Sequence, residues 1–91
     1  MLRWIAIGTA PGWDDVEKFG QEMRDSSSWR PDPRTTVTTV YALEDGRLLA
    51  EGQAAKRESF EAWLQQKGWT VESITPVKHV AAAGSIWEVK P

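Results

Sequence analysis

Residues 35–54 carry the clearest structural pattern in the chain and read TTVTTVYALEDGRLLAEGQA. The stretch 35–43 is rich in β-branched and aromatic residues, which is typical of a strand. Asp45-Gly46 is a favoured dipeptide of the two-residue type I′ hairpin turn, in which both central residues take a positive φ. We therefore predict a β-hairpin with strands over 35–43 and 47–54.

A two-residue turn determines which residues of the hairpin lie opposite each other, and here it pairs Leu43 with Leu48. Side chains alternate between the two faces along a strand. One face is therefore expected to carry Val37, Thr39, Tyr41, Leu43, Leu48, Ala50 and Gly52. The other face is expected to carry Thr38, Val40, Ala42, Leu49, Glu51 and Gln53. We expect helices to cover the first face, because it is the more apolar of the two.

The regions on both sides of the hairpin complete a regular alternation of elements. Apolar residues at helical spacing predict helices over 12–24 and 56–67, and short apolar runs predict strands over 2–9 and 69–75. The order β-α-β-β-α-β is that of the ferredoxin-like split βαβ fold. We predict an α+β fold in which a four-stranded antiparallel sheet carries two helices on one face, because crossover connections are right-handed.

Length and composition restrict the class of protein. Ninety-one residues correspond to one domain over 1–91, and we expect an additional short C-terminal strand within 85–90. The absence of Cys excludes disulfide scaffolds, zinc fingers and thiol redox sites. A net charge of −2 argues against nucleic acid as a partner. No apolar run is long enough to span a membrane, and the start lacks a signal-peptide pattern, so we expect a cytoplasmic protein.

Several ferredoxin-like functions conflict with the residues present. Copper chaperones need a Cys pair, and RNA-recognition domains need aromatic side chains on the strand that is here 47–54. One arrangement remains compatible, the dimeric α/β barrel. In it the uncovered sheet faces of two copies meet and enclose a cavity, so the expected partner is a second copy of the chain.

Four stretches of the chain resemble a family of small bacterial ferredoxin-like proteins that includes a streptomycete nickel-binding protein. They are Asp45-Gly46-Arg47-Leu48-Leu49-Ala50-Glu51, Ala54-Ala55, Glu58-Ser59-Phe60-Glu61-Ala62-Trp63-Leu64 and Val77-Lys78-His79-Val80. The stretch 5–12, in which a short strand is followed by Pro-Gly, is similar as well. The resemblance implies a homodimer and the binding of a divalent metal at a shared surface.

A second, looser resemblance joins Phe60, Trp63, Leu64 and His79 to monooxygenases of the same barrel fold. That group contains haem-degrading and cofactor-free enzymes. The resemblance implies an oxygenase or isomerase activity. The sequence itself identifies no particular cofactor.

The expected site lies on the sheet face that the helices leave uncovered. Its expected ligand-binding residues are Trp4, Thr38, Glu51, Gln53 and His79. The leading hypothesis is a homodimeric protein that binds a small apolar or aromatic ligand. A divalent metal is the less favoured ligand under the same hypothesis. A second hypothesis is a dimeric-barrel enzyme with His79 or Glu51 as acid or base. A third is an interaction domain without a ligand. Trp29 and Trp87 fit either subunit contacts or ligand contacts.

Overall fold

The chain folds into a four-stranded sheet, a helical layer and a separate two-stranded sheet. A computed structural model describes residues 2–89, and for 85–88 it describes the backbone alone. The elements are β1 (Leu2–Thr9), α1 (Val16–Arg24), α2 (Ser26–Trp29), β2 (Thr35–Ala42), β3 (Leu48–Ala54), α3 (Arg57–Gln66), β4 (Thr70–Pro76), β5 (His79–Ala82) and β6 (Ser85–Glu88). The larger sheet is antiparallel with the order β2-β3-β1-β4. The predicted α+β class is confirmed, and this topology is compatible with a ferredoxin-like fold.

Small residues line the sheet where the helices pack on it. On the central strands β1 and β3, the face buried against the helices (the inner face) carries Trp4, Ala6, Gly8, Leu48, Ala50, Gly52 and Ala54. Phe60 of α3 lies so close to Gly52 that an ideal Cβ at that glycine would be 2.8 Å from Phe60 Cε1. The inner face therefore accommodates large rings because most of its own side chains are small.

A chain of aromatic contacts organises the helical layer. Phe19 packs edge-on against Trp13, with ring centroids 5.8 Å apart, and Trp13 packs edge-on against Trp69 at 5.7 Å. Trp69 contacts Trp63 at 6.1 Å, and Trp63 stacks on Phe60 at 6.1 Å. Edge-to-face and offset-stacked geometries are the favourable ones for aromatic pairs. The chain of rings links α1, α3 and the start of β4.

The turn of the β2–β3 hairpin differs from the two-residue type that we predicted. Gly46 has a φ of +90°, but Asp45 keeps a negative φ. The backbone N–H of Gly46 donates to Leu43 O over 3.1 Å, and that of Leu43 donates to Arg47 O over 2.8 Å. This pattern belongs to a three-residue loop, a type I turn that ends in one glycine with positive φ. The carboxylate of Asp45 favours it, because Oδ1 accepts the N–H of Arg47 over 3.0 Å.

The longer loop shifts the hairpin register by one residue, so part of the predicted face assignment is wrong. Ala42, instead of Leu43, lies opposite Leu48, and Tyr41 lies opposite Leu49. A one-residue shift moves every side chain of a strand to the other face. Val40 and Ala42 therefore share the inner face with Leu48 and Ala50. Thr39 and Tyr41 lie on the uncovered face.

Both edge strands contain a register shift. In β2 the shift at Thr38 allows Val37 and Val40, three positions apart, to share the inner face. In β4 a shift beside Glu72 does the same for Val71 and Ile74. Bulges twist an edge strand and interrupt its hydrogen-bonding row, which opposes pairing with another sheet.

Two helix predictions also need correction. The first helix begins at Val16 instead of residue 12, because Asp15 caps it by accepting the N–H of Glu17 over 2.9 Å. The serine-rich segment 26–29, which lies outside both predicted helices, forms α2, and Asp25 caps it by accepting the N–H of Ser27. Asp side chains are favoured N-caps because they satisfy backbone donors that have no helical partner.

The C-terminal strand that we expected within 85–90 is β6, and residue 90 lies outside the described residues. β6 pairs with β5 in a sheet of its own, with His79 opposite Glu88. Gly84 has a φ of +83° at the turn between the two strands. Within residues 2–89 no helix has the length and apolar character that crossing a membrane requires.

Replacing Gly52 with Ala tests the close contact between sheet and helix. The added methyl group would meet the fully buried Phe60 at 2.8 Å and the backbone oxygen of Thr36 at 3.1 Å. We expect Gly52→Ala to lower the free energy of unfolding by about 1–3 kcal/mol, measured by urea denaturation. The matched control is Gly20→Ala in α1, where the nearest atom is 3.8 Å away. It should raise stability by about 0.5–1 kcal/mol, and equal effects of the two substitutions would contradict the packing described.

The turn also predicts a titration. The N–H and the guanidinium of Arg47 both donate to the Asp45 carboxylate, and they hold its pKa below the ordinary value. Because the pKa is lower in the folded state, the associated stability is present above the unfolded pKa and is lost as pH falls through the folded pKa. Arg47→Ala should return the pKa only part of the way, since the backbone bond remains. A carboxyl-carbon NMR titration measures this, with Arg57→Ala as control, and an unchanged pKa in Arg47→Ala would disprove the assignment.

Candidate functional site

The face of the large sheet that no helix covers is called here the open face, and its residues form a regular grid. Across the strands, one row is Tyr41, Leu49, Ile7 and Ser73, and the next is Thr39, Glu51, Ile5 and Thr75. A third row is Thr36, Gln53 and Arg3. Ile5, Ile7 and Leu49 are partly exposed and lie outside the core cluster. The open face therefore has an apolar centre with polar groups beside it.

An ion pair lies next to this apolar centre. Arg3 of β1 donates from Nη1 to Glu51 Oε2 of β3 over 2.6 Å. The two side chains are only 19% and 24% exposed, so they are far less hydrated than the pair of Arg47 and Asp45, at 47% and 53%. A charge-assisted bond in such a site is stronger than a surface ion pair and also orients both side chains. It presents a fixed anionic and a fixed cationic group side by side.

The structure brings together two of the predicted ligand-binding residues as expected. Glu51 and Gln53 both lie on the open face of β3. Thr38 does not lie opposite Gln53, because it is the extra residue of the β2 bulge. Its hydroxyl donates to the backbone oxygen of Glu51 over 3.0 Å. Thr38 therefore fixes the strand that carries Glu51, and Thr36 occupies the position opposite Gln53.

Trp4 lies on the inner face, contrary to our expectation that it would lie beside Glu51. It is 7% exposed, sits opposite Gly52, and donates from its indole N–H to Ala54 O over 3.1 Å. The physical reason is volume, because the small side chains of β3 leave room for an indole ring on the inner face. Ile5 and Ile7 consequently lie on the open face.

His79 does not lie on the sheet that forms the open face. It is an exposed residue of β5, the first strand of the two-stranded sheet, instead of an extension of β4. The large sheet ends at Pro76, although the N–H of Val77 still donates to Arg3 O over 2.9 Å. His79 and Glu51 therefore belong to different sheets.

Sequence reasoning missed two open-face residues, Arg3 and Tyr41. Arg3 lies on the same face of β1 as Ile5, and Trp4 lies on the other face. Because Trp4 was expected on the open face, Arg3 was not expected there. Tyr41, which is 55% exposed, was assigned to the helix-covered face because the turn length was wrong. For Tyr41 the signal is the three-residue spacing of Val37 and Val40, which requires a bulge in β2 if both are to lie on the inner face. No comparable signal in the sequence identifies Arg3.

Trp29 and Trp87 were expected to make either subunit or ligand contacts, and of the two the structure describes the side chain of Trp29 alone. Its indole N–H donates to Met23 O over 2.8 Å, and the ring packs against the core. Trp29 therefore ties α2 to the end of α1. The side chain of Trp87 lies outside the described part of the chain.

Within the part of the chain that is described, no three His, Cys, Asp or Glu side chains are grouped closely enough to hold a metal ion. The one carboxylate on the open face of β3 is that of Glu51, and it is bound to Arg3. The arrangement is suited to contact a ligand that has an apolar body and a group able to hydrogen bond with Arg3, Glu51 or Gln53.

Replacing Glu51 tests whether the ion pair holds the two central strands. Glu51→Gln keeps the shape of the side chain but removes its charge, so we expect the free energy of unfolding to fall by about 0.5–2 kcal/mol. The control is Glu72→Gln, because Glu72 is half exposed and its carboxylate lies 3.8 Å from Arg47. This control should change stability by less than about 0.5 kcal/mol. Equal losses in thermal or urea unfolding would show that the Arg3 contact has no special weight.

Comparison with known proteins finds no relative of this chain. No protein-family model, no curated protein and no solved structure matches it. The resemblance to small bacterial ferredoxin-like proteins therefore stays a prediction from the sequence, and the function is argued from the geometry of the open face.

Proposed function

We propose that the protein is a homodimeric binding protein in which the open faces of two copies meet and enclose a cavity for a small apolar or aromatic ligand. One observation carries the proposal. Ile5, Ile7 and Leu49 form a contiguous apolar centre on a sheet face that no helix covers. Exposed apolar patches of this kind mark sites of association or ligand binding.

The edges of the sheet support association through the face instead of through the edges. A second copy could extend the sheet only by pairing with β2 or β4, which are its outer strands. Each of these strands is interrupted by a bulge, at Thr38 and beside Glu72. Because a bulge breaks the row of backbone groups that a new strand would need, packing of one open face on another is the favoured mode.

The ion pair supports a cavity instead of a tightly packed interface. If the faces packed without a gap, Arg3 and Glu51 would lose the water that still reaches them. Burial of an ion pair is costly unless further polar groups satisfy it. A ligand with a polar group beside an apolar or aromatic body would contact the pair and Gln53, and its body would contact Ile5, Ile7 and Leu49.

Binding of a divalent metal and enzymatic activity are the two alternatives to this proposal. A divalent metal would have to compete with Arg3 for the Glu51 carboxylate. Glu51 would act as acid or base only after its carboxylate had left Arg3, and His79 lies outside the sheet that forms the open face. Binding of an apolar or aromatic ligand leaves the Arg3–Glu51 ion pair in place, so it is the function that the geometry supports best.

A charge placed at the apolar centre tests the dimer. We expect the wild-type protein to sediment as a dimer at micromolar concentration. Leu49→Lys should weaken the dimer at least about tenfold, because it places a positive charge on each of the two facing sheets. The control is Val16→Lys on α1, where the side chain is already 79% exposed. The control should sediment like the wild type.

A stable wild-type monomer at that concentration would contradict the dimer and, with it, the cavity. The ligand is tested separately by native mass spectrometry of the purified protein. A bound mass that Leu49→Lys loses and Val16→Lys retains is the expected result. A dimer that carries no additional mass after gentle purification would favour an interaction domain without a ligand.

A further inference from the structure

The polar side chains beside the apolar centre of the open face offset one another's charge. Arg3 donates from Nη1 directly to Glu51 Oε2 over 2.6 Å, and both side chains are mostly shielded from water. Gln53, which lies opposite Arg3 on the neighbouring strand, is uncharged. Glu51 lies opposite Ile5, so the pair borders the apolar centre. Together these three polar side chains carry no net charge, although each of them forms hydrogen bonds readily.

A charged ligand would have to compete with one member of this ion pair. A ligand carboxylate would compete with Glu51 for the guanidinium of Arg3, and a ligand ammonium would compete with Arg3 for the carboxylate of Glu51. In either case the 2.6 Å bond between the two side chains would be broken. Separating an ion pair that is shielded from water costs more free energy than separating an exposed one. A neutral polar group avoids this cost because it leaves the pair intact.

The dimensions of the apolar centre limit the size of the ligand body. Ile7 and Leu49 lie opposite each other in one row, and Ile5 lies in the next row. Neighbouring strands are about 4.8 Å apart, and successive residues on one face of a strand are about 6.6–6.8 Å apart. The apolar centre therefore matches a single aromatic ring. A polar substituent on that ring would lie beside Glu51, in the row of Ile5.

On the basis of the proposed function, we infer that the ligand is an uncharged molecule with a single aromatic ring and a neutral polar substituent of the carboxamide type. A carboxamide contains both a donor and an acceptor. Its N–H donates to the carboxylate of Glu51, and its oxygen accepts from the side-chain amide of Gln53. The bond between Arg3 and Glu51 stays in place, and the ring covers the apolar centre.

Benzamide is the probe, and it is compared with benzoate, benzylammonium and phenylalanine, which carries both charges. Isoleucine methyl NMR spectra of the wild-type protein report binding. Benzamide should shift the signals of Ile5 and Ile7 saturably and leave that of Ile74 unchanged, since Ile74 is buried on the inner face. Its dissociation constant should be at least about tenfold lower than that of each charged compound.

Glu51→Gln tests the physical cause of this preference, because it keeps the shape of the side chain and removes its charge. A ligand carboxylate can then bind Arg3 in place of Glu51. Benzoate should therefore bind this variant at least about tenfold more tightly than it binds the wild type, and the affinity for benzamide should change by less than about threefold. The matched control is Glu72→Gln, which removes the same charge from a half-exposed residue that lies 3.8 Å from Arg47. It should leave the affinities for all four compounds unchanged.

The results separate this assignment from the proposed function. If none of the four compounds shifts the signals of Ile5 and Ile7, both the ligand cavity and the class of ligand are wrong. If a charged compound binds the wild type as tightly as benzamide does, the cavity stands and the neutral class is wrong. Unchanged benzoate affinity in a folded Glu51→Gln protein would show that the ion pair does not set the preference. The wild-type comparison decides by itself if that variant does not fold.

Discussion

The structure depends on a match of volumes between the sheet and its helical layer. Phe60, Trp63 and Trp13 are among the largest buried side chains, and Phe60 packs directly against Gly52 of β3. Alanines and glycines of β1 and β3 occupy most of the inner face and leave room for the rings of the helical layer. Because side chains alternate along a strand, the same constraint sends Ile5, Ile7 and Leu49 to the open face. The features that suggest a function there therefore result from how the core is filled.

Local sequence patterns predicted most of the helices and strands, because each of these elements is determined by residues close together in the sequence. The stretch 35–54 identified the hairpin, and periodicity located the helices at 12–24 and 56–67 to within a few residues. The pairing register was not predictable from the turn dipeptide alone, because Asp45 bonds to the N–H of Arg47 and keeps a negative φ. Both turn types accept Asp-Gly, and this hydrogen bond favours the three-residue loop. The error of one residue then reversed the faces of Thr39 and Tyr41.

The predicted positions of the site residues on the open face were correct for β3 and wrong for β1 and for the segment after β4. Glu51 and Gln53 lie on the same face of β3 whatever the turn length, because they are two positions apart in one uninterrupted strand. Trp4 was misplaced because the orientation of β1 is decided by packing volume, for which the large aliphatic residues are a misleading guide. His79 was misplaced because β5 pairs with β6 and not with β1. Tertiary packing and strand pairing at long range decided these positions, and neither is visible in a short window of sequence.

The two polar arrangements of the molecule differ in the elements that hold them. Lys67 and Ser28 lie within the helical layer, where both neighbouring helices fix them in place. Arg3 and Glu51 lie on a single sheet layer whose other side is open to water. A ligand between the sheet and the helices would have to displace the aromatic rings, so the inner face offers no binding surface. The open face remains, and in the proposed dimer it gains a second wall.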